Sequence, residues 1–321
     1  MTKKTWVWIT VGCGILLVIG LVAGTLIVVK SGDGGKVAGD WKVRIEKEGG
    51  ADRILLLGVD GVIMQSEDGS LLGAAGTSPW EVTNKLEQAV KDKRIKGIVV
   101  RVDSPGGDVV ASDEIYHKLL QVKREQKLPI VFSFGSTAAS GGYYVATAAD
   151  KIFSNPLTLT GSIGVIMESY NLSELADKVG IKSVVIKSGK MKDIGSLFRE
   201  MTKEERDVLQ QLVDESYDRF VEVVATGRDL PEAEVRKIAD GRVYTGQQAK
   251  KLKLVDELGT LDDAIAEAEK MAGIREATVV SYKQGSSLPS WLGVLGKDQG
   301  LSAQDLLERK SPGLMYLYTT D

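Results

Sequence analysis

Short apolar runs alternate with longer stretches in which apolar residues recur every three or four positions. ILLLGVDGVI (54–63), GIVVRV (97–102), PIVFSF (129–134), KIFSN (151–155) and KSVVIKS (182–188) are rich in β-branched residues, and each predicts a strand. EVTNKLEQAVKDKRI (81–95), DEIYHKLLQVKREQ (113–126) and the short SGGYYVATAA (140–149) predict helices between them. Thr202, followed three residues later by Glu205, forms a capping box that opens a long helix. Val208, Leu209, Leu212, Val213, Tyr217, Phe220, Val221 and Val224 mark its buried stripe as far as Gly227. Further helices are expected at about 231–239, 246–251 and 260–272. Strands and helices in this alternation predict an α/β core with largely parallel strands.

The ends break the pattern. From Trp6 to Val29 the chain runs 24 residues without a charge; as a helix this is about 36 Å long, enough to span a bilayer core of about 30 Å with some tilt. The run ends in Ile27-Val28-Val29-Lys30, which lacks the small residues of a cleavage site, so a retained anchor over 1–30 is expected, with the bilayer as partner of residues 6–29. Lysines flank both sides, and charge alone does not orient the anchor. Residues 31–52 read as a glycine-rich linker, 53–284 as the globular domain and 285–321 as a tail. That tail begins with a second linker, GSSLPS, and closes on an apolar GLMYLY (313–318) to which the pattern assigns no role.

Composition narrows the chemistry. Of 321 residues, 43% are hydrophobic, so a large core can form, and 41 basic against 44 acidic side chains give no electrostatic case for nucleic acid. Cys13 is the single cysteine and no Cys/His spacing suits a metal, so neither disulfides nor metals are expected.

Two loops at strand ends stand out. DSPGGDV (103–109) puts paired glycines before a helix, where backbone N–H groups can face an anion. TAASGG (137–142) clears bulky side chains from around Ser140 at a helix start, as a nucleophile lying under an extended chain would require. Serine needs a base, and the one histidine, His117, sits in the middle of an upstream helix. A lysine can serve if burial brings its pKa from about 10.4 toward 7 or 8. The residues alone leave Lys182, Lys187, Lys190 and Lys192 all open.

An N-terminal anchor followed by DSPGG, STAASGGYYVA, TGSIGV and SGKMKDIGS, in that order, resembles the signal peptide peptidase SppA family in its short single-anchor form. These are Ser-Lys peptidases of the Clp protease/crotonase-like fold, with a repeated ββα core, and the resemblance covers about residues 53–275. It implies Ser140 as nucleophile, Lys192 as general base, Ser162 as the residue orienting the lysine amine, and the backbone N–H groups of Gly107 and Gly141 as the oxyanion hole. Where Clp proteases place their histidine, this chain has Val165. The resemblance further implies an acyl-enzyme mechanism without a cofactor and cleavage of residual signal peptides and other hydrophobic peptides. It also implies a homo-oligomeric ring with sites built between neighbours, and a catalytic domain on the outer face of the bacterial plasma membrane. Two other readings use the same fold: a membrane-tethered scaffold whose site is unused, and an enzyme acting on acyl-CoA thioesters.

Overall fold

The computed structural model describes residues 41–65, 76–284 and 314–318. The expected anchor and most of the expected tail lie outside the described residues. In the first part of the chain, β1 (Trp41–Lys47), β2 (Arg53–Asp60), β3 (Val62–Ile63) and β4 (Gly76–Thr77) lead into α1 (Pro79–Lys91). Then come β5 (Ile95–Ser104), β6 (Gly106–Asp108), α2 (Val109–Gln126), β7 (Ile130–Ala139), α3 (Gly141–Ala146), β8 (Lys151–Ser154) and β9 (Leu159–Gly161). The remainder comprises α4 (Ser173–Lys178), α5 (Lys203–Arg228), α6 (Glu232–Ile238), β10 (Val243–Thr245), α7 (Gly246–Lys251), β11 (Glu257–Leu258), α8 (Leu261–Ala272), β12 (Thr278–Gln284) and β13 (Met315–Leu317). The fold is mixed α/β.

The main sheet has the order β1-β12-β2-β5-β7-β8-β11, with β9 and β10 added beyond the end of β7. Its central pairs are parallel, whereas β1/β12 and β9/β10 are antiparallel. Parallel strands are covered on both faces, which explains the unbroken apolar run at 97–102. Ile98, Val100 and Val102 join the larger core, while Val99 faces the opposite way into a smaller core built with Ala264, Ile265 and Ala268 of α8. The larger core takes Val82 and Leu86 from α1, Ile115 and Leu119 from α2, and Phe220 and Val224 from α5.

Helix starts follow their caps. Ser78 accepts from the N–H of Glu81, Asp108 from that of Ala111, and Thr202 and Glu205 complete the expected capping box. Three expectations are corrected. Trp41–Lys47, placed in the linker, is a strand, because β12 offers it a partner edge over six residue pairs. Residues 182–188 form no strand, since no strand among the described residues pairs with them. The stripe of α5 is buried only from Phe220 onward; Val208 and Leu212 are exposed because the first half of this helix projects from the core. The DSPGGDV loop also differs in kind: its Gly106–Asp108 is a short strand of a second sheet, ordered β13-β6-β3-β4.

Candidate active site

Ser140 ends β7 and precedes α3 in a sharp strand-turn-helix. Its backbone sits at φ 52°, ψ −116°, a conformation that costs a side-chain-bearing residue about 1–3 kcal/mol and persists only when the surroundings impose it. Here Ser140 N–H donates to the Gly161 carbonyl at 2.8 Å, and the Ser140 carbonyl accepts from Tyr144 N–H at 2.8 Å. The small neighbours permit the approach of other groups: a Cβ on Gly141 would stand 2.6 Å from Ser112 Oγ, and one on Gly142 3.1 Å from the Ser104 carbonyl. Ser140 is 1% exposed, and its Oγ forms no hydrogen bond with any described residue. Leaving a buried hydroxyl unpaired costs about 1–3 kcal/mol, and among the described residues nothing accepts its proton.

The strand β6 lies across the serine. A Cβ on Gly107 would stand 1.9 Å from the Ile63 carbonyl, so no side chain fits there. A Cβ on Gly141 would be 3.1 Å from the backbone nitrogen of Gly107, which brings the two glycines together beside Ser140. Ser104 secures the turn: its Oγ donates to the Gly61 carbonyl at 2.6 Å and accepts from Gly106 N–H at 3.1 Å.

The free edge of β6 is taken by the chain's own β13. Met315, Tyr316 and Leu317 lie antiparallel opposite Asp108, Gly107 and Gly106, and on its other edge Met315 exchanges two backbone hydrogen bonds of 3.1 Å with Ile166. Around Gly106, the Tyr316 carbonyl oxygen, Gly141 nitrogen and Ser140 Cβ converge on one point: a Cβ there would lie 2.1, 2.6 and 3.1 Å from them. The Tyr316 ring is fully buried, stacked on Tyr144 with centroids 5.0 Å apart and 4.7 Å from Phe220, and its Oη donates to the Ser216 carbonyl at 2.9 Å. Burial raises the Tyr144 and Tyr316 phenol pKa values, that of Tyr144 also through its hydrogen bond to Asp113, so both rings stay neutral and apolar faces meet. Nothing in the sequence pattern assigned this strand; the one signal was an apolar GLMYLY after a polar stretch.

Ser162 follows Gly161, the residue paired with Ala139 across β9 and β7, and therefore stands beside Ser140. A cavity of about 480 Å3 opens next to Ser162 and the end of β13, lined also by Val165, Tyr217, Asp214 and Asp240. Lys192 is not brought to this point. Its side chain is exposed and makes no hydrogen bond to Ser140 or Ser162. Lys187 is paired with Asp193 at 2.5 Å and Lys190 with Glu204, whereas Lys192 and Lys182 have no carboxylate partner among the described residues. His117 lies away from the serine, on the exposed side of α2, where its Nε2 is 3.2 Å from Arg219 Nη2 and 3.4 Å from Asp113 Oδ2.

A buried serine on a strained strand-turn-helix, paired glycine amides beside it and an extended segment laid across both describe a peptidase of the serine type. The sequence profile of peptidase family S49 matches residues 122–275. A protein of Enterococcus faecium that bears the name signal peptide peptidase SppA is 36% identical over 94% of this chain and 92% of its own length. The chloroplastic serine protease SPPA of Arabidopsis thaliana is 33% identical over 81% of this chain and 39% of its own. Among solved structures, a ClpP1 mutant from Listeria monocytogenes aligns at a TM-score of 0.42 and 17% identity, covering 65% of this chain and 94% of that one. The chain belongs to peptidase family S49, the family of the SppA signal peptide peptidases.

Proposed function

We propose that this peptidase is a membrane-tethered endopeptidase of Clp protease/crotonase-like fold that cuts residual signal peptides and other apolar peptides with a Ser140–Lys192 dyad. The observation that carries this reading is β13: a peptide in extended form, its tyrosine in an aromatic pocket, with its carbonyl oxygen, Gly141 N and Ser140 Cβ all gathered around Gly106. A substrate strand would add to β6 in the same way, through backbone hydrogen bonds that suit any sequence and one pocket that selects a side chain.

In this mechanism the deprotonated Lys192 amine, oriented by Ser162, takes the proton from Ser140 Oγ as the oxygen bonds to the substrate carbonyl carbon. The carbonyl oxygen takes up the electron pair and is held by the N–H groups of Gly107 and Gly141. Collapse breaks the C–N bond, and the leaving amine receives the proton from Lys192. Water, deprotonated by the same lysine, then hydrolyses the ester and restores Ser140. No metal or organic cofactor takes part. Lys192 is exposed and Ser140 Oγ has no partner among the described residues, which supports a dyad formed between neighbouring copies in a ring. The anchor at 6–29 would hold that ring on the outer face of a bacterial plasma membrane, next to spent signal peptides.

The same exposed Lys192 favours one other reading, a membrane-tethered scaffold whose serine is unused. The two part on one experiment: hydrolysis of an apolar tyrosine-containing peptide by the full chain from about pH 6 to 10. Ser140→Ala and Lys192→Ala should each lose about a thousandfold or more in kcat, with His117→Ala within about twofold of the wild type. A folded, assembled wild type with no turnover would establish the scaffold instead.

A further inference from the structure

Arg199 takes no part in the site described above, yet it is the most heavily engaged side chain of the segment that carries Lys192. Its Nε and Nη2 donate to the two carboxylate oxygens of Asp193 at 3.0 and 2.8 Å, and Nη2 also reaches the Asp193 carbonyl at 3.1 Å. Nη1 donates to the Glu200 carbonyl at 3.0 Å and to Glu205 Oε2 at 2.8 Å, while Nη2 bonds Glu205 Oε1. Glu205 is itself fixed. It is 2% exposed, and as the capping residue of α5 it accepts from Thr202 N–H at 2.9 Å. One guanidinium thus ties the residue after Lys192 to the first turn of a 26-residue helix.

The loop needs that tie. Residues 189–196 hold neither helix nor strand, and their backbone bonds are local turns: Lys192 to Gly189, Ile194 to Met191 and Ser196 to Asp193, each 3.1 Å; the nearest longer-range backbone bond is at Leu197, whose carbonyl accepts from Leu172 N–H at 2.6 Å. Segments with only such bonds open at little cost. Charge matters as much as geometry. Asp193 is adjacent to Lys192, and a carboxylate released there would pair with the nearest amine and keep it protonated. In the structure that carboxylate is claimed by Arg199 and Lys187, and its pKa is held well below the usual range, while Glu204 is claimed by Lys190. Lys192 is left as the lysine of this loop without an acidic partner.

We propose that Arg199 is a positioning residue: acting through Asp193 and Glu205, it holds the 189–196 loop in one shape and withholds the Asp193 carboxylate from Lys192, so that an unpaired amine is presented to the serine. This rests on Lys192 being the base. Arginine suits the task because its planar fork can make paired hydrogen bonds to two carboxylates at once, whereas a lysine meets both with a single nitrogen.

The experiment uses the full chain as wild type, Arg199→Ala, Arg199→Lys and Glu204→Gln. The last releases Lys190 but leaves the clamp intact. Peptide hydrolysis is followed against pH, and in parallel the Lys192 amine is titrated by its rate of acylation with a small amine reagent. Loss of the clamp should lower kcat by about tenfold or more with KM within about threefold, as for a catalytic group set loose while the peptide site is untouched. Both the rise of activity and the acylation of Lys192 should move to higher pH, by about one unit. Arg199→Lys should fall between, and it carries the test if Arg199→Ala does not fold. Glu204→Gln should leave both profiles in place. An Arg199 variant with wild-type profiles overturns the proposal, as does a kcat loss without any shift, which would indicate lost stability alone. If no form cuts peptide, the peptidase reading fails on its own, and the acylation profile still decides whether Arg199 governs the amine.

Discussion

Ser140 and the glycines around it illustrate how much a few small residues constrain. Their smallness was legible along the chain, where it reads either as close packing of a turn against a helix or as clearance for a peptide over Ser140. The structure divides these two roles. Gly106 leaves room for the Tyr316 carbonyl, whereas Gly141 and Gly142 make way for Ser112 and Ser104, which come from a strand and a helix more than twenty residues upstream. Periodicity cannot rank such contacts, because they depend on where distant residues arrive. The same holds for Glu205, read as a cap and found also to be half of an ion pair. Its carboxyl pKa is depressed to about 2, first by the Arg199 hydrogen bond and then by Thr202 N–H. A folded value below the unfolded one means that the contribution to stability is complete above about pH 4.5 and is lost as pH falls through about 2. The melting temperature of wild type should therefore exceed that of Glu205→Gln at neutral pH, and the gap should close steadily on acidification between those limits. A gap independent of pH would mean that Arg199 does not stabilise the ionised form.

At the scale of elements, caps and periodic stripes located most helices to within a few residues, and the β-branched runs at 54–63, 97–102, 129–134 and 151–155 all contain strands. The exception is instructive. KSVVIKS has the composition of a strand, but a strand exists only where an edge accepts its hydrogen bonds. Among the described residues none does, and Val184 and Ile186 remain 85% and 98% exposed. The exposed Val208 and Leu212 of α5 tell the same story from another element. Apolar side chains in these numbers at one part of a chain suit burial against a second copy. Val184→Asp combined with Ile186→Asp should leave the melting temperature almost unchanged, since neither residue is packed, and should reduce the assembled mass seen by analytical ultracentrifugation. An unchanged mass would exclude this segment from the interface of the proposed ring.

For the whole molecule, the defining feature is that the chain closes on itself: residues near its C-terminal end complete a sheet begun at Val62 and fill the aromatic pocket of the site. A tethered strand competes with free peptide at an effective concentration of the order of millimolar. Ending the chain after residue 313 should thus lower KM for an apolar peptide by about tenfold with kcat little changed; an unchanged KM would mean that substrates do not use the β6 edge. The sequence by itself determined the α/β class, the cap positions, the small-residue clearing at Ser140 and the ordered motifs that identify the family, because each depends on neighbours a few residues apart or on residue types retained at fixed spacing. Only the tertiary structure decided that residues 315–317 form a strand against β6, that Ser140 Oγ has no partner among the described residues, and that Lys192 is exposed without bonding it while Lys187 and Lys190 are paired. Those facts depend on which distant segments meet, and no local period encodes a meeting between residues 107 and 316, or the absence of one between residues 140 and 192.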